Sequence, residues 1–123
     1  MEKILKIKGD ASTRKFYRKK NNYNSSIIVF AKIEKFKNLL VYDAINKILN
    51  KNKILAPILY KENYRKNYIE IQDFGNETIL SRLDKKKNSK FFYFKQIINL
   101  LNKVQLIKNR KIKNFKNNNY IIL

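Results

Sequence analysis

A chain of 123 residues is long enough for one domain with an ordinary buried core. Apolar residues make up 44 % and aromatics 13 %, with two Gly and one Pro, which excludes a disordered chain; the absence of Cys excludes disulfides and thiolate metal sites. The formal net charge of +20 invites a polyanionic partner, yet Lys (24), Asn (18) and Ile (18) all have AT-rich codons, so base composition by itself accounts for much of it.

In chain order, residues 2–8 alternate loosely and end at Gly9, which predicts a first strand. The turn Gly9-Asp10-Ala11-Ser12-Thr13 follows, and such polar turns leave backbone N–H groups free to cradle phosphate. Residues 15–20 can return antiparallel, and the polar cluster 21–25 makes a turn. Residues 26–33 are the strongest β segment, with β-branched and aromatic residues running almost continuously. From Lys37 to Asn52 the period becomes helical: Leu40, Ala44, Ile48 and Val41, Ile45, Leu49 form two adjacent apolar rows. Ala56-Pro57 ends that pattern and opens an extended run through Tyr60. A polar turn over 62–67 leads to a last strand at 68–72, broken by Asp73-Phe74-Gly75.

The remainder reads as helical. Asn76 is placed to cap a short helix over 77–83, with Glu77 in its first turn, and Ser89 to cap a longer one. Phe91, Phe94, Ile98, Leu101 and Val104, with Ile97 and Ile107 alongside, form the apolar stripe of that second helix. The tail 109–123 is rich in Asn and Lys and ends in Tyr120-Ile121-Ile122-Leu123, an apolar end with no visible partner, as in a truncated chain. No apolar run approaches the roughly 18 residues of a membrane span. Met1-Glu2-Lys3-Ile4 does not open a signal peptide, so a cytoplasmic protein without a membrane partner is expected.

The predicted class is α+β, a five-stranded antiparallel sheet in the chain order β-β-β-α-β-β followed by one or two helices. Gly9-Asp10-Ala11-Ser12-x-Arg14-x-Phe16-Tyr17-Arg18 and Glu70-Ile71-Gln72-Asp73-Phe74-Gly75-Asn76-Glu77-Thr78 resemble two motifs of the aminoglycoside phosphotransferase/choline kinase-like superfamily. They are most similar to those of bacterial amino-sugar kinases acting on N-acetylmuramate and N-acetylglucosamine in peptidoglycan recycling. The resemblance covers about residues 4–108. It implies a kinase-like small lobe at 1–75, a hinge and linker helix at 76–88, and the start of an incomplete helical large lobe at 89–123.

The resemblance also implies ATP and Mg²⁺ as cofactors. Gly9, Asp10, Ala11, Ser12 and Thr13 would lie over the phosphates, with Arg14 either facing them or bracing the hairpin. Lys32 would pair with the α- and β-phosphates and with a helix carboxylate, Asp43 or Glu34. An exposed strand-end lysine and simple charge relief are the plain alternatives for Lys32 and Asp43. Gln72, Asp73 and Phe74 would form the adenine hinge. Asp73-Phe74-Gly75 also spells the metal-binding triplet of protein kinases, but that triplet follows a catalytic loop and this one follows a strand.

The family's histidine-containing catalytic loop and its later metal-binding Asp find no match. The sequence has no His, and Asp84 is the one carboxylate after Glu77. No catalytic or metal-binding residue is therefore assigned, and the chain alone is expected to be inactive. A truncated sugar kinase that keeps its ATP-covering lobe is the leading expectation, with a separately encoded or missing large lobe as partner. The alternative is a small basic nucleic-acid-binding module, with Tyr and Phe stacking on bases and residues 108–119 following phosphates.

Overall fold

The computed structural model describes residues 1–9, 13–32, 36–85, 90–108, 111–113 and 119–121; at 36–38, 111–113 and 119–121 it describes the backbone alone. Five strands form one antiparallel sheet: β1 (Lys3–Ile7), β2 (Lys15–Lys20), β3 (Ser25–Phe30), β4 (Leu59–Asn63) and β5 (Tyr68–Gln72), in the spatial order β1-β2-β3-β5-β4. Helix α1 (Phe36–Lys51) joins β3 to β4, so the chain order is the expected β-β-β-α-β-β. Helices α2 (Ile79–Leu83) and α3 (Lys90–Gln105) follow.

One sheet face packs on α1. Val29, Ala31, Ile69 and Ile71 of the sheet side meet Leu39 of the helix and Tyr64 of the β4–β5 connection, all buried, with Phe16, Ile27, Leu40, Tyr42 and Leu59 around them. Strand alternation accounts for this set, because Phe16, Val29 and Ile69 lie opposite one another across three strands, as do Arg18, Ile27 and Ile71. Of the two rows expected on the helix, that of Ala44 and Ile48 is buried while Val41 and Ile45 stand outward. The connection after α1 is held by Asn50, whose amide donates to the Ala56 carbonyl at 3.0 Å and accepts from the Ala56 N–H at 3.1 Å.

Several local expectations are corrected. Strand β3 ends at Phe30 rather than Ile33, and β4 runs on to Asn63, through residues expected to turn. A register shift between Leu59 and Lys61 lets that polar stretch stay paired with β5. The turn that follows is a single 3₁₀ turn over Tyr64–Lys66, capped by the Asn63 side chain and closed by Asn67 at φ 59°. The α2 cap is Thr78 rather than Asn76: Thr78 Oγ1 accepts from the Ser81 N–H and Ser81 Oγ accepts from the Thr78 N–H, each at 3.1 Å. Glu77 thus precedes the helix, where it pairs with Arg82 and Lys85. Part of the tail forms an antiparallel ribbon of β6 (Lys111–Lys113) and β7 (Asn119–Ile121), with β6 beside α1. The proposed cap Ser89 lies outside the described residues.

The apolar stripe of α3 is the exception to this packing. Phe91, Phe94, Ile98 and Leu101 are each more than half exposed, and no residue of the helix is buried. Ile69→Ala should therefore cost about 2–5 kcal/mol in urea unfolding, as deletion of fully buried methyl groups does. Phe94→Ser should change stability by about 0.5 kcal/mol or less despite its larger apolar loss.

Candidate functional site

The face of the sheet that carries the core also carries an open cavity beside α1. Its volume is about 350 Å³. Ile7, Phe16, Ile27 and Ile71 give it an apolar floor on the sheet, Tyr42 and Pro57 border it on the α1 side, and residues 72–76 border it with Arg18. Gly9 abuts the same end of the hairpin: a Cβ at that position would meet the Phe16 ring at 4.0 Å. Gly9 and Thr13 flank the predicted phosphate turn, and Asp10, Ala11 and Ser12 lie outside the described residues.

Arg18 organises the border of this cavity. Arg18, Ile27 and Ile71 form one cross-strand row, and Asp73, two residues past Ile71, stays on that face. The guanidinium reaches Asp73 in fork geometry, with Nε to Oδ2 at 2.7 Å and Nη2 to Oδ1 at 3.0 Å. Nη2 also donates to the Gly75 carbonyl at 3.0 Å, and Nη1 donates to Asn76 Oδ1. The Gly75 N–H turns back to Asp73 Oδ1 at 2.8 Å, which the positive φ of 84° at Gly75 allows. Both charged side chains are largely buried, at 12 % and 4 % exposure.

Burial by itself would push the Asp73 carboxyl up. Hydrogen bonds from Arg18, the Gly75 N–H and Ser25, with the Arg18 charge, outweigh it and hold the group below the usual carboxylate range. Beside these residues the backbone N–H and C=O of Phe74 make no hydrogen bond among the described residues, so they remain available to a ligand. Phe74 itself is half exposed.

The predicted lysine pair is not assembled. Lys32 is exposed next to buried Ala31, so it alternates away from the α1 face, and it makes no ion pair among the described residues. Asp43 is buried, and its Oδ2 lies 2.6 Å from Lys47 Nζ one helical turn on. It faces a separate cavity between α1 and β4, lined with Asn50, Pro57 and Tyr60. Glu34 lies outside the described residues. Arg14 sits over the Tyr42 ring at 5.1 Å, which braces the hairpin end against α1 and sets a cation beside the cavity that Tyr42 lines.

The opposite sheet face holds a polar cavity of about 390 Å³ whose groups largely satisfy one another. There Ser26 Oγ donates to Glu70 at 2.6 Å, and Lys19 bridges Glu2 at 3.1 Å and Glu70 at 3.8 Å. The hydrogen bond to Glu2, then the charges of Glu70 and Glu2, raise the Lys19 pKa. Among the described residues no cluster of three or more His, Cys, Asp or Glu side chains is placed to hold a metal, and no helix is long and apolar enough to cross a membrane.

No protein-family model matches this sequence, and no curated protein matches it. The site is therefore defined by its own geometry. Sequence reading marked Asp73 and Phe74 but missed Arg18 and Tyr42. Alternation already put Phe16 with Arg18 and Ile71 with Asp73, but their meeting depends on strand register.

The depressed Asp73 pKa makes stability depend on pH. Unfolded Asp binds its proton near pH 4 and the folded group binds it lower, so the pair's contribution is full above about pH 4 and is lost as pH falls through the folded value. Urea midpoints measured from pH 5 down to pH 2 should fall more steeply for the wild type than for Asp73→Asn.

Proposed function

We propose that this chain is the nucleotide-binding small lobe of a small-molecule phosphotransferase, with the purine of ATP in the hinge cavity. The observation that carries this reading is the cavity itself, an open apolar depression on the sheet with the backbone of residues 72–76 along one side. A purine is apolar on its two faces and polar at its edge. Ile7, Phe16, Ile27 and Ile71, all on one sheet face, suit one face of the base, and the free N–H and C=O of Phe74 suit the edge. The phosphates would run toward the turn that begins at Gly9, past Arg14. The chain order β-β-β-α-β-β and the two motifs that resemble amino-sugar kinases support the same reading, with an amino sugar as acceptor.

In this reading the chain binds the nucleotide and another lobe completes the chemistry. Phosphoryl transfer needs a carboxylate to orient the acceptor hydroxyl and side chains to hold Mg²⁺. After Glu77 this sequence offers Asp84 alone, and it has no His. A helical large lobe outside these residues would supply them and cover the exposed α3 stripe. Residues 85–123 carry Lys and Arg but no carboxylate, so the matching surface is apolar with acidic flanks.

Titration with a fluorescent ATP analogue, competed by ATP and by adenosine, tests the proposal. Arg14→Ala should weaken ATP about tenfold and leave adenosine unchanged, as loss of one charge-assisted contact to phosphate does. Lys6→Ala, on an exposed strand position, should change neither. Competition by any polyanion, lost steeply with added salt, would instead report bare charge and sink the proposal.

A further inference from the structure

We infer that Arg18 is the positioning residue of the hinge: its guanidinium holds residues 73–76 in the one arrangement that presents the Phe74 backbone to the cavity. Three successive anchor points, the Asp73 carboxylate, the Gly75 carbonyl and the Asn76 side chain, converge on this one side chain from β2. Arg18 and all three of those residues border the cavity. Arg18 touches no ligand in this role; it acts through the backbone that does.

The hinge needs such an anchor for two reasons. Gly75 is in the left-handed region, and a Cβ placed there would meet nothing within 4 Å, so side-chain packing does not hold this backbone. The Asp73 side chain, 4 % exposed, would be a buried unpaired carboxylate without Arg18 and would have to turn outward, carrying the Gly75 N–H with it. A planar fork with five donors can satisfy a carboxylate, a carbonyl and an amide at once. A lysine ammonium, a point charge on a flexible stem, cannot. The ligand part of this role rests on the nucleotide reading; the hinge geometry does not.

Arg18→Lys is the diagnostic variant, because it keeps the charge and removes the fork. Amide hydrogen exchange at Gly75 should speed up while exchange in β3 stays at the wild-type rate, and affinity for the fluorescent ATP analogue should fall about tenfold. Asp73→Asn should loosen Gly75 in the same way, and it serves if the lysine variant does not fold. Lys19→Ala, which breaks the ion pairs next door on the other sheet face, should alter neither readout. Unchanged Gly75 exchange in Arg18→Lys, or equal loosening of β3, overturns the positioning role. If the wild type binds no nucleotide, the nucleotide reading fails, and the Gly75 exchange alone decides the role of Arg18.

Discussion

The fork between Arg18 and Asp73 is the contact on which the rest of this structure turns. Removing a guanidinium and a carboxylate from water is costly for each ion, so such a pair persists only where its geometry is near ideal and its remaining donors find partners. Here they do: two parallel bonds join the ions, and the remaining guanidinium groups serve the Gly75 carbonyl and the Asn76 side chain. The effect is to tie the second strand to the chain leaving the fifth. The hairpin, the sheet and the start of the α2 segment become one unit around the cavity.

That tie gains importance because carboxylates are scarce. The sequence has nine acidic residues against 29 basic ones. Most of the described acidic groups are committed to particular partners: Glu2 and Glu70 to Lys19, Asp43 to Lys47, Glu77 to Arg82 and Lys85. Placing two carboxylates around Lys19 and one buried in α1 offsets repulsion where the basic side chains crowd the sheet and helix. The excess positive charge remains spread along the chain, which argues for solvation and long-range attraction rather than a shaped polyanion groove.

Much of the fold was legible in the residues. The continuous β-branched and aromatic run of Ser26 to Phe30, the alternation of Tyr68 to Gln72, and the helical spacing of Leu40, Ala44 and Ile48 are local signals set by side-chain shape and direction, and each element formed where those signals lay. The errors came where local polarity competed with pairing. Glu62 and Asn63 look like the start of a turn but stay in β4, because a neighbouring strand offers their backbone hydrogen bonds. Asn76 looks like a helix cap, but its side chain is drawn to Arg18, and the cap passes to Thr78. The candidate site divided in the same way. Asp73 and Phe74 were visible from the break after the last strand. The partner of Asp43 was not, since Lys47 at one helical turn outcompetes a lysine on another element.

By itself the sequence determined the five strands of the main sheet and the three helices to within a few residues, because those follow from periodicity and from residues that favour one backbone conformation. It also determined the chemical means: a strongly basic chain without Cys or His, with a polar turn after the first strand and a glycine break after the fifth. The tertiary structure alone decided which of those residues meet. Register between strands set Arg18 across from Ile27 and within reach of Asp73, 55 residues away along the chain, and it left Lys32 outside on the exposed side. The physical reason is that a strand fixes the face of each side chain locally, while its neighbours on that face depend on a pairing that the whole sheet must agree on.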